Sequence, residues 1–249
     1  MGGLARSPRA IYVEGMKKLR VDVWSDIACP WCYVGKRRLE AALSRFTHRD
    51  AVEIVWRAFE LDPGAPRAQD ADVSYAERLA KKYGTPVVQA NAMIKRMTDV
   101  AASDGLDFHF DRIRPGNTFD AHRVLHLAHE RGVQDAVKER FLRGYMTEGK
   151  AIGEPEVLVR LGSEAGLDEE EVRALLASDA YAREVRADEG QARALAITGV
   201  PFFVLGGRLG VSGAQTADVL LDALTQAWGA ATADPAGAEG AVCGPGGCG

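Results

Sequence analysis

The sequence lacks the features that mark nucleic-acid-binding and membrane proteins. The formal net charge of the 249 residues is −4, so no basic surplus favours DNA or RNA as a partner, and we expect none. No apolar run approaches the roughly 18 residues of a membrane span. No basic cluster suits anionic lipid either, so we expect no membrane partner.

The first residues also lack the apolar segment of a secretory signal, although they carry positive charge. We therefore predict a cytoplasmic protein and treat residues 1–17 as an N-terminal extension outside the fold. Met16 stands just before the first strand-like run, so translation could start at Met1 or at Met16.

Cysteine is scarce, and its four residues fall into two pairs. One pair lies in Cys29-Pro30-Trp31-Cys32, and Cys243 and Cys248 lie in the last seven residues. In a reducing cytosol, paired cysteines indicate redox chemistry or metal binding more than structural cross-links.

The start of the chain has the pattern of a β-α-β unit. Apolar residues alternate at Leu19, Val21 and Val23, which predicts a strand. A helix is predicted from Cys29 to Phe46, because Pro30 suits the first helical position. A second strand is predicted around residues 52–56, where apolar residues alternate again.

The end of the chain has the pattern of a β-β-α unit. Strands are predicted at Phe202–Leu205 and Arg208–Val211, joined by the turn residues Gly206-Gly207. A last amphipathic helix is predicted from Ala214 to Trp228. Between the two units almost every segment has helical periodicity.

Neither end unit can form a stable sheet alone, so we predict that both contribute to one four-stranded sheet. The fold class is therefore α/β, with the sheet interrupted by an all-helical insertion. The predicted parts are the first sheet part (18–62), the helical insertion (63–197), the second sheet part (198–229) and a flexible, cysteine-containing tail (230–249).

The Cys29–Cys32 motif can carry thiol–disulfide exchange. A thiolate is the attacking species, and a helix N-terminus favours an anion, so we expect a lowered pKa for Cys29. Cys32 follows one helical turn later and can resolve a mixed disulfide. Pro30 would fix the helix start, and Trp31 would expose part of its ring to a partner. Half of a zinc site is the alternative interpretation of such a motif.

Val200-Pro201 precedes a strand, where proline is awkward. A cis Val200–Pro201 bond would explain a proline at this position, because the cis bond would expose the Val200 backbone to a substrate polypeptide. A trans proline at a strand start is the alternative.

The segments WSDIACPWCYVGKRRLE, WRAFELDP, NTFDAHRVLHLA, ITGVPFFV and SGAQ resemble the DsbA-like thioredoxin proteins of the FrnE type, over about Val21 to Trp228. The resemblance implies a thioredoxin fold with a helical insertion. It implies Cys29 as nucleophile, Cys32 as resolving thiol and Pro201 as a cis-proline facing them. It also places the Asp120–Arg123 segment beside the active-site cleft.

The same architecture is similar to kappa-class glutathione transferases and 2-hydroxychromene-2-carboxylate isomerases. Those relatives generally have serine at the nucleophile position and bind glutathione. This chain keeps both cysteines, which favours dithiol exchange. Glutathione stays open as a reductant or ligand, and no other cofactor is expected.

The tail cysteines, Cys243 and Cys248, allow three interpretations. They can form a second redox pair that exchanges with Cys29/Cys32, since a linker of fifteen residues from Trp228 spans roughly 20 Å on average and about 50 Å at full stretch. They can be incidental. They can also complete a four-thiolate zinc site.

Other polar residues are weaker candidates. Asp26 and His122 could line the cleft, and Asp26 could also form hydrogen bonds in the loop or assist proton transfer. His126 and His129 follow His122 at helical spacing, but we assign no metal to them. Lys36–Arg38 are expected on a solvated face.

The leading hypothesis is a disulfide reductase or isomerase that acts on protein disulfides and is recycled by a thiol reductant. A glutathione-dependent transferase or isomerase of a small molecule is the first alternative. A zinc-binding, redox-sensing module is the second.

Overall fold

The structure, a computed structural model, describes residues 18–68 and 73–233. Its sheet consists of β1 (Leu19–Ser25), β2 (Val52–Ala58), β3 (Phe202–Leu205) and β4 (Leu209–Ser212). The spatial order is β2-β1-β3-β4. β1 and β2 are parallel, whereas β3 is antiparallel to both β1 and β4. The predicted sheet is confirmed, with one half from each end of the chain.

Helices cover the sheet and form the block between its halves. The helices are α1 (Pro30–Arg45), α2 (Tyr75–Tyr83), α3 (Val87–Ser103), α4 (Phe119–Glu130), α5 (Gln134–Met146), α6 (Pro155–Glu164), α7 (Glu169–Leu176), α8 (Ala182–Ala194) and α9 (Ala217–Ala233). α1 connects the parallel strands β1 and β2, as a crossover helix does.

The last helix differs from its predicted bounds. It starts three residues later than expected, where the Thr216 hydroxyl accepts a hydrogen bond from the Val219 amide. It ends at Ala233 rather than Trp228, because the Ala-rich residues after Gly229 favour continued helix. The first residues of the predicted flexible tail, 230–233, are therefore helical.

α1 belongs to two hydrophobic cores. Its Leu39 and Ala42 pack with the sheet and with α9. Its Tyr33 and Val34 pack with the helical block. The N-terminus of α1 thus lies where the sheet and the helical block meet.

Some sequence predictions fall outside the described residues. These are the N-terminal extension, the alternative start at Met16, and the cysteines Cys243 and Cys248. Across 18–68 and 73–233, no helix combines the length and the apolar character that a bilayer crossing requires.

Candidate active site

The site forms at one edge of the sheet, where three chain segments meet. β1 and β2 are parallel, so both end at this edge, and the antiparallel β3 begins there. The register pairs Trp24 with Phe202. The loop after β1, which leads to Cys29, therefore lies next to Val200 and Pro201.

Cys29 is the N-cap of α1, in extended conformation at φ −95° and ψ 113°. Pro30 occupies the first turn, as predicted. Cys29 is 5% exposed, and its Sγ lies 3.6 Å from the Val200 carbonyl oxygen. The Cys29 sulfur is thus held between the helix N-terminus and the segment before β3.

Cys32 lies behind Cys29 and is fully buried. Its amide donates to the Cys29 carbonyl at 3.0 Å, which closes the first helical turn. Both cysteines are free thiols. Of these two thiols only Cys29 borders the cleft, so a molecule in the cleft reaches Cys29 before Cys32.

The pKa of Cys29 is raised, whereas the sequence analysis predicted that it is lowered. The hydrogen bond with Cys32, together with burial, raises the pKa of Cys29 well above that of an ordinary thiol. Burial opposes ionisation of Cys32, but the hydrogen bond from Cys29 and the charge of Lys138 outweigh it and lower the Cys32 pKa. Because the two thiols interact directly, their ionisation is a property of the pair, on which the helix N-terminus acts as a whole.

The Val200–Pro201 peptide bond is cis. Pro201 is buried against α1, where a side chain at Gly35 would meet its ring: a Cβ there would lie 2.8 Å from the Pro201 Cγ. Gly199 and Val200 line the open cleft beside Cys29. The absence of a side chain at Gly35 thus lets the proline segment approach the helix that carries both cysteines.

The cleft has a volume of about 1220 Å³ and runs from Cys29 to α2 and α3. Trp31, 42% exposed, forms part of its wall, as predicted. The lining combines apolar residues (Leu61, Tyr83, Met93) with four cations (Arg78, Lys81, Lys82, Arg96). This surface suits an extended ligand that has both apolar and negatively charged groups.

Asp26 and His122 do not line the cleft, where we had expected them. Each is 1% exposed, and His122 Nε2 lies 3.6 Å from Asp26 Oδ1. The Asp26 carboxylate accepts hydrogen bonds from the amides of Ala28 (3.2 Å) and Leu61 (2.8 Å). Asp26 therefore fixes the loop before Cys29 to the segment after β2.

These contacts decide the charges of the Asp26–His122 pair. Burial opposes ionisation of Asp26, but the contact with His122 and the two amide hydrogen bonds outweigh it and lower the Asp26 pKa. Burial also lowers the pKa of His122, against the attraction of Asp26. The pair is thus a carboxylate with a neutral imidazole at neutral pH.

Lys138 of α5 is the residue that the sequence analysis missed. Its side chain is fully buried, and its Nζ donates to the Ser25 carbonyl at 3.5 Å. Burial lowers the pKa of Lys138 to about 8, against the attraction of Cys32, Asp26 and Cys29. A signal existed: Phe141, Leu142 and Tyr145 follow Lys138 at helical spacing, so a lone lysine lies on a buried stripe.

The remaining candidates have structural partners. His126 Nε2 lies 3.1 Å from Asp188 Oδ2, and His129 is exposed, so the three histidines of α4 do not converge. Among the described residues, no group of three or more His, Cys, Asp or Glu side chains is placed to hold a metal ion. Asp120 pairs with Arg123, which donates to one carbonyl oxygen in the last turn of α7 and to two just after it. This segment therefore stabilises the helical block rather than the cleft wall.

The expected solvated face of α1 is an interface. Lys36 is 2% exposed and pairs with Asp135 and Glu139 of α5 and with Glu40. Arg38 pairs with Asp104 at the end of α3. These cations fasten α1 to the helical block, and their charges are already matched.

Comparison with known proteins agrees with this geometry. The sequence model of the DSBA-like thioredoxin domain matches residues 20–225. A probable DsbA oxidoreductase from Streptomyces coelicolor is 50% identical, with a TM-score of 0.82 over 93% of this chain and 98% of that chain. YwbO, an uncharacterised protein of Bacillus subtilis, is 27% identical over 212 residues, which cover 83% of this chain and 96% of YwbO.

The fold extends to more distant proteins. The cytosolic disulfide reductase DsbM of Pseudomonas aeruginosa, solved with GSH, is 19% identical, with a TM-score of 0.56 over 86% of this chain and 98% of DsbM. At this level of sequence identity, the similarity shows a shared fold and nothing more.

Proposed function

The chain belongs to the DSBA-like thioredoxin domain family, a family of disulfide oxidoreductases, and from this premise we propose that it reduces or isomerises disulfides in proteins. Cys29 is the nucleophile and Cys32 the resolving thiol. The observation that carries the proposal is the placement of Cys29: its sulfur borders the cleft at a helix N-terminus, 3.6 Å from the Val200 carbonyl, while Cys32 is buried behind it.

The first step forms a mixed disulfide. Cys29 releases its proton to water in the cleft, and the Cys29 thiolate attacks one sulfur of the substrate disulfide. A bond forms between Cys29 and that sulfur, and the second substrate sulfur leaves as a thiolate and takes a proton from water. The free backbone amides at the N-terminus of α1 favour the negative charge on Cys29 before the attack.

The second step releases the substrate. Cys32 loses its proton and attacks the Cys29 sulfur, and the remaining substrate sulfur leaves and is protonated. Two electrons have then moved from the protein dithiol to the substrate disulfide. In isomerisation, a second substrate thiol attacks the mixed disulfide instead, and the protein leaves with both thiols reduced. A thiol reductant restores the dithiol after net reduction.

The cleft and the Val200 segment support a polypeptide substrate. An extended chain beside the Val200 backbone can pair with it as a further strand would. Trp31 and Leu61 offer apolar contacts next to the reacting sulfur. Val200 and Pro201 thus form one side of the docking position, and Pro30 and Trp31 form the other side.

The test is reduction of insulin disulfides by dithiothreitol. We expect wild type to accelerate it, Cys29→Ser to abolish the acceleration, and Cys32→Ser to accumulate a mixed disulfide. Cys243→Ser/Cys248→Ser serves as the matched control, because it removes two thiols away from the site. A wild type no faster than Cys29→Ser would refute the proposed reductase.

We also propose that Cys243 and Cys248 act as a second redox pair. Trp228 of α9 stacks on His48 at 4.4 Å, beside the end of α1, which is about 24 Å from Cys29 at the helical rise per residue. The ten residues from Ala233 to Cys243 average about 17 Å and reach about 35 Å when extended. Exchange within one chain therefore needs a linker stretched beyond its average length but short of full extension.

The double variant Cys32→Ser/Cys248→Ser tests whether the tail cysteines exchange with the Cys29/Cys32 pair. Mass spectrometry of the oxidised variant would find a Cys29–Cys243 disulfide if the pairs exchange. Absence of this species under mild oxidation would assign the tail no redox role. Stoichiometric zinc in the reduced wild-type protein, released by oxidation, would favour the zinc site instead.

Glutathione is the second candidate substrate, and the cations of the cleft favour it. Glutathione carries two carboxylates beside its thiol, and Arg78, Lys81, Lys82 and Arg96 line the cleft that Cys29 borders. A glutathione-dependent transferase would form a stable glutathione adduct and keep its activity in Cys32→Ser. A disulfide reductase would lose turnover in that variant.

The cytoplasmic location of the protein stays a prediction, which cell fractionation tests.

A further inference from the structure

α2 and α3, joined by residues 84–86, form a helical hairpin, and both helices line the cleft that Cys29 borders. One end of the hairpin is anchored. Tyr75, at the start of α2, packs on Phe110 with ring centroids 4.9 Å apart, and Met97 in the second half of α3 is buried in the core of the helical block. At the other end Val88 is 82% exposed. The hairpin thus carries the cleft wall from the core out to the surface.

Three cations of this hairpin line the cleft without a carboxylate partner. Lys81 and Lys82 lie in the last turn of α2, and Arg96 lies on α3. All three are exposed, and none forms an ion pair within the part of the chain that the structure describes. Lys95, the neighbour of Arg96, does not line the cleft and pairs with Asp99 at 2.7 Å. Of the two cations of α3, the one that faces the cleft is thus the unpaired one.

The cleft is positive although the chain as a whole is negative. The formal net charge of the 249 residues is −4. Of the described residues that line the cleft, four are cations and one, Asp62, is an acid. A cleft with an excess of one charge attracts ligands of the opposite charge and raises their rate of association. The cleft therefore favours an acidic ligand over a neutral or basic one.

The dimensions of the cleft favour a polypeptide segment over a small acid such as glutathione. The cleft volume of about 1220 Å³ exceeds the roughly 300–1,000 Å³ of small-molecule sites. Lys82 lies seven residues after Tyr75, which places it about 10 Å further out along α2 than the anchored end. An extended chain covers this length with about three residues. Acidic residues about three or more positions from the reacting cysteine are thus the ones placed to meet the lysines.

We propose that Lys81, Lys82 and Arg96 are specificity-determining residues that select protein disulfides flanked by acidic residues. This inference rests on the proposed exchange between Cys29 and a protein disulfide, and it adds the chemistry of the substrate. Residues next to the substrate cysteine lie beside Trp31, at the apolar end of the cleft. Acidic residues further along the substrate pair with the cations of the hairpin.

The expected preference follows from the number of exposed ion pairs. One exposed pair changes an equilibrium by a factor of about 1.4 to 5 at 25 °C. Three independent pairs therefore give a preference between about threefold and about 100-fold. We expect about tenfold at low ionic strength, because such pairs are screened by salt.

Two symmetrical peptide disulfides measure the preference. Each peptide has one cysteine, and the third to fifth positions on both sides of it are glutamate in one peptide and glutamine in the other. The reduced Cys243→Ser/Cys248→Ser protein is mixed with each disulfide, and chromatography of acid-quenched samples gives the rate of peptide-thiol release. Division by the rate with dithiothreitol corrects for the intrinsic reactivity of each peptide. We expect the glutamate peptide to react about tenfold faster after this correction, and the preference to shrink in 1 M NaCl.

The variants assign the preference to the hairpin. Lys82→Gln/Arg96→Gln removes one cation from each helix and should lower the preference to about twofold, since one of the three ion pairs remains. Lys95→Gln/Arg183→Gln, the matched control, removes the same charge from exposed positions outside the cleft lining and should keep the preference at about tenfold. Lys82→Glu/Arg96→Glu should instead prefer a peptide with lysine at the same positions, a reversal that a merely structural role would not produce.

The outcomes separate the inference from the proposed function. Failure to reduce either peptide would refute the proposed exchange at Cys29. Reduction of both peptides at equal corrected rates, or a preference that survives in Lys82→Gln/Arg96→Gln, would overturn the selection and leave the exchange intact. Oxidised glutathione supplies the last comparison: if Lys82→Gln/Arg96→Gln slows its reduction more than that of the glutamate peptide, the cations form a glutathione site and the inference is wrong.

Discussion

Gly35 gives the sharpest test of how the proline segment is held beside Cys29. In an exposed helix interior, replacing glycine by alanine stabilises the helix by about 0.5–1 kcal/mol. At Gly35 the new Cβ would lie 2.8 Å from Cγ of Pro201 and 3.3 Å from Cζ of Phe203. Both neighbours are ring atoms of buried side chains, so neither can turn away into solvent.

We therefore expect Gly35→Ala to destabilise the fold. Overpacking of a filled core costs about 1–3 kcal/mol, which exceeds the gain in helix propensity, so the net loss is about 1–2 kcal/mol. In a chain of this size the melting temperature should fall by about 2–8 °C. Displacement of Pro201 should also lower the insulin-reduction rate, because Val200 shapes the docking position.

Gly190 is the matched control, since it also lies inside a helix, α8. A Cβ there would meet only the flexible end of Arg193, at 3.8 Å. Gly190→Ala should raise the melting temperature by about 2–4 °C and leave insulin reduction unchanged. If Gly35→Ala stabilised the protein as much as Gly190→Ala does, the contact between α1 and Pro201 would be refuted.

Two further predictions concern buried carboxylates. Asp188 accepts hydrogen bonds from a backbone amide and an arginine of β2, so Asp188→Ala should lower the free energy of unfolding, measured in urea, by about 3 kcal/mol. Asp218→Ala, which removes an exposed ion-pair residue, should lower it by less than about 1 kcal/mol. Equal losses in the two variants would contradict this prediction. Burial, opposed by Arg186 and reinforced by Glu189, raises the pKa of Glu60 to about 7, so the folded chain keeps this proton longer than the unfolded chain and loses stability as the pH rises from about 4.5 to 7. Glu60→Gln should reduce that fall in urea titrations, and an equally large fall in the variant would be the contrary result.

The local parts of the fold could be predicted from the sequence because their signals are local. Cys29 and Phe46 flank α1 as its caps, as the proline at one end and the apolar spacing predict. Gly206 and Gly207 adopt positive φ (60° and 69°) in the turn between β3 and β4, the conformation that glycine pairs favour there. Pairing of the two halves across the helical block followed from the fact that neither half could form a sheet alone.

The electrostatics of the site could not be predicted in this way, because they depend on contacts between distant residues. Lys138 comes to Ser25 across 113 positions in sequence, and Asp26 accepts from Leu61 across 35. Neither separation leaves a periodic signal near the cysteines. The expected lowering of the Cys29 pKa was wrong for a related reason: a helix N-terminus can be predicted locally, whereas the burial of Cys29 and its hydrogen bond with Cys32, which raise its pKa, depend on the folded site.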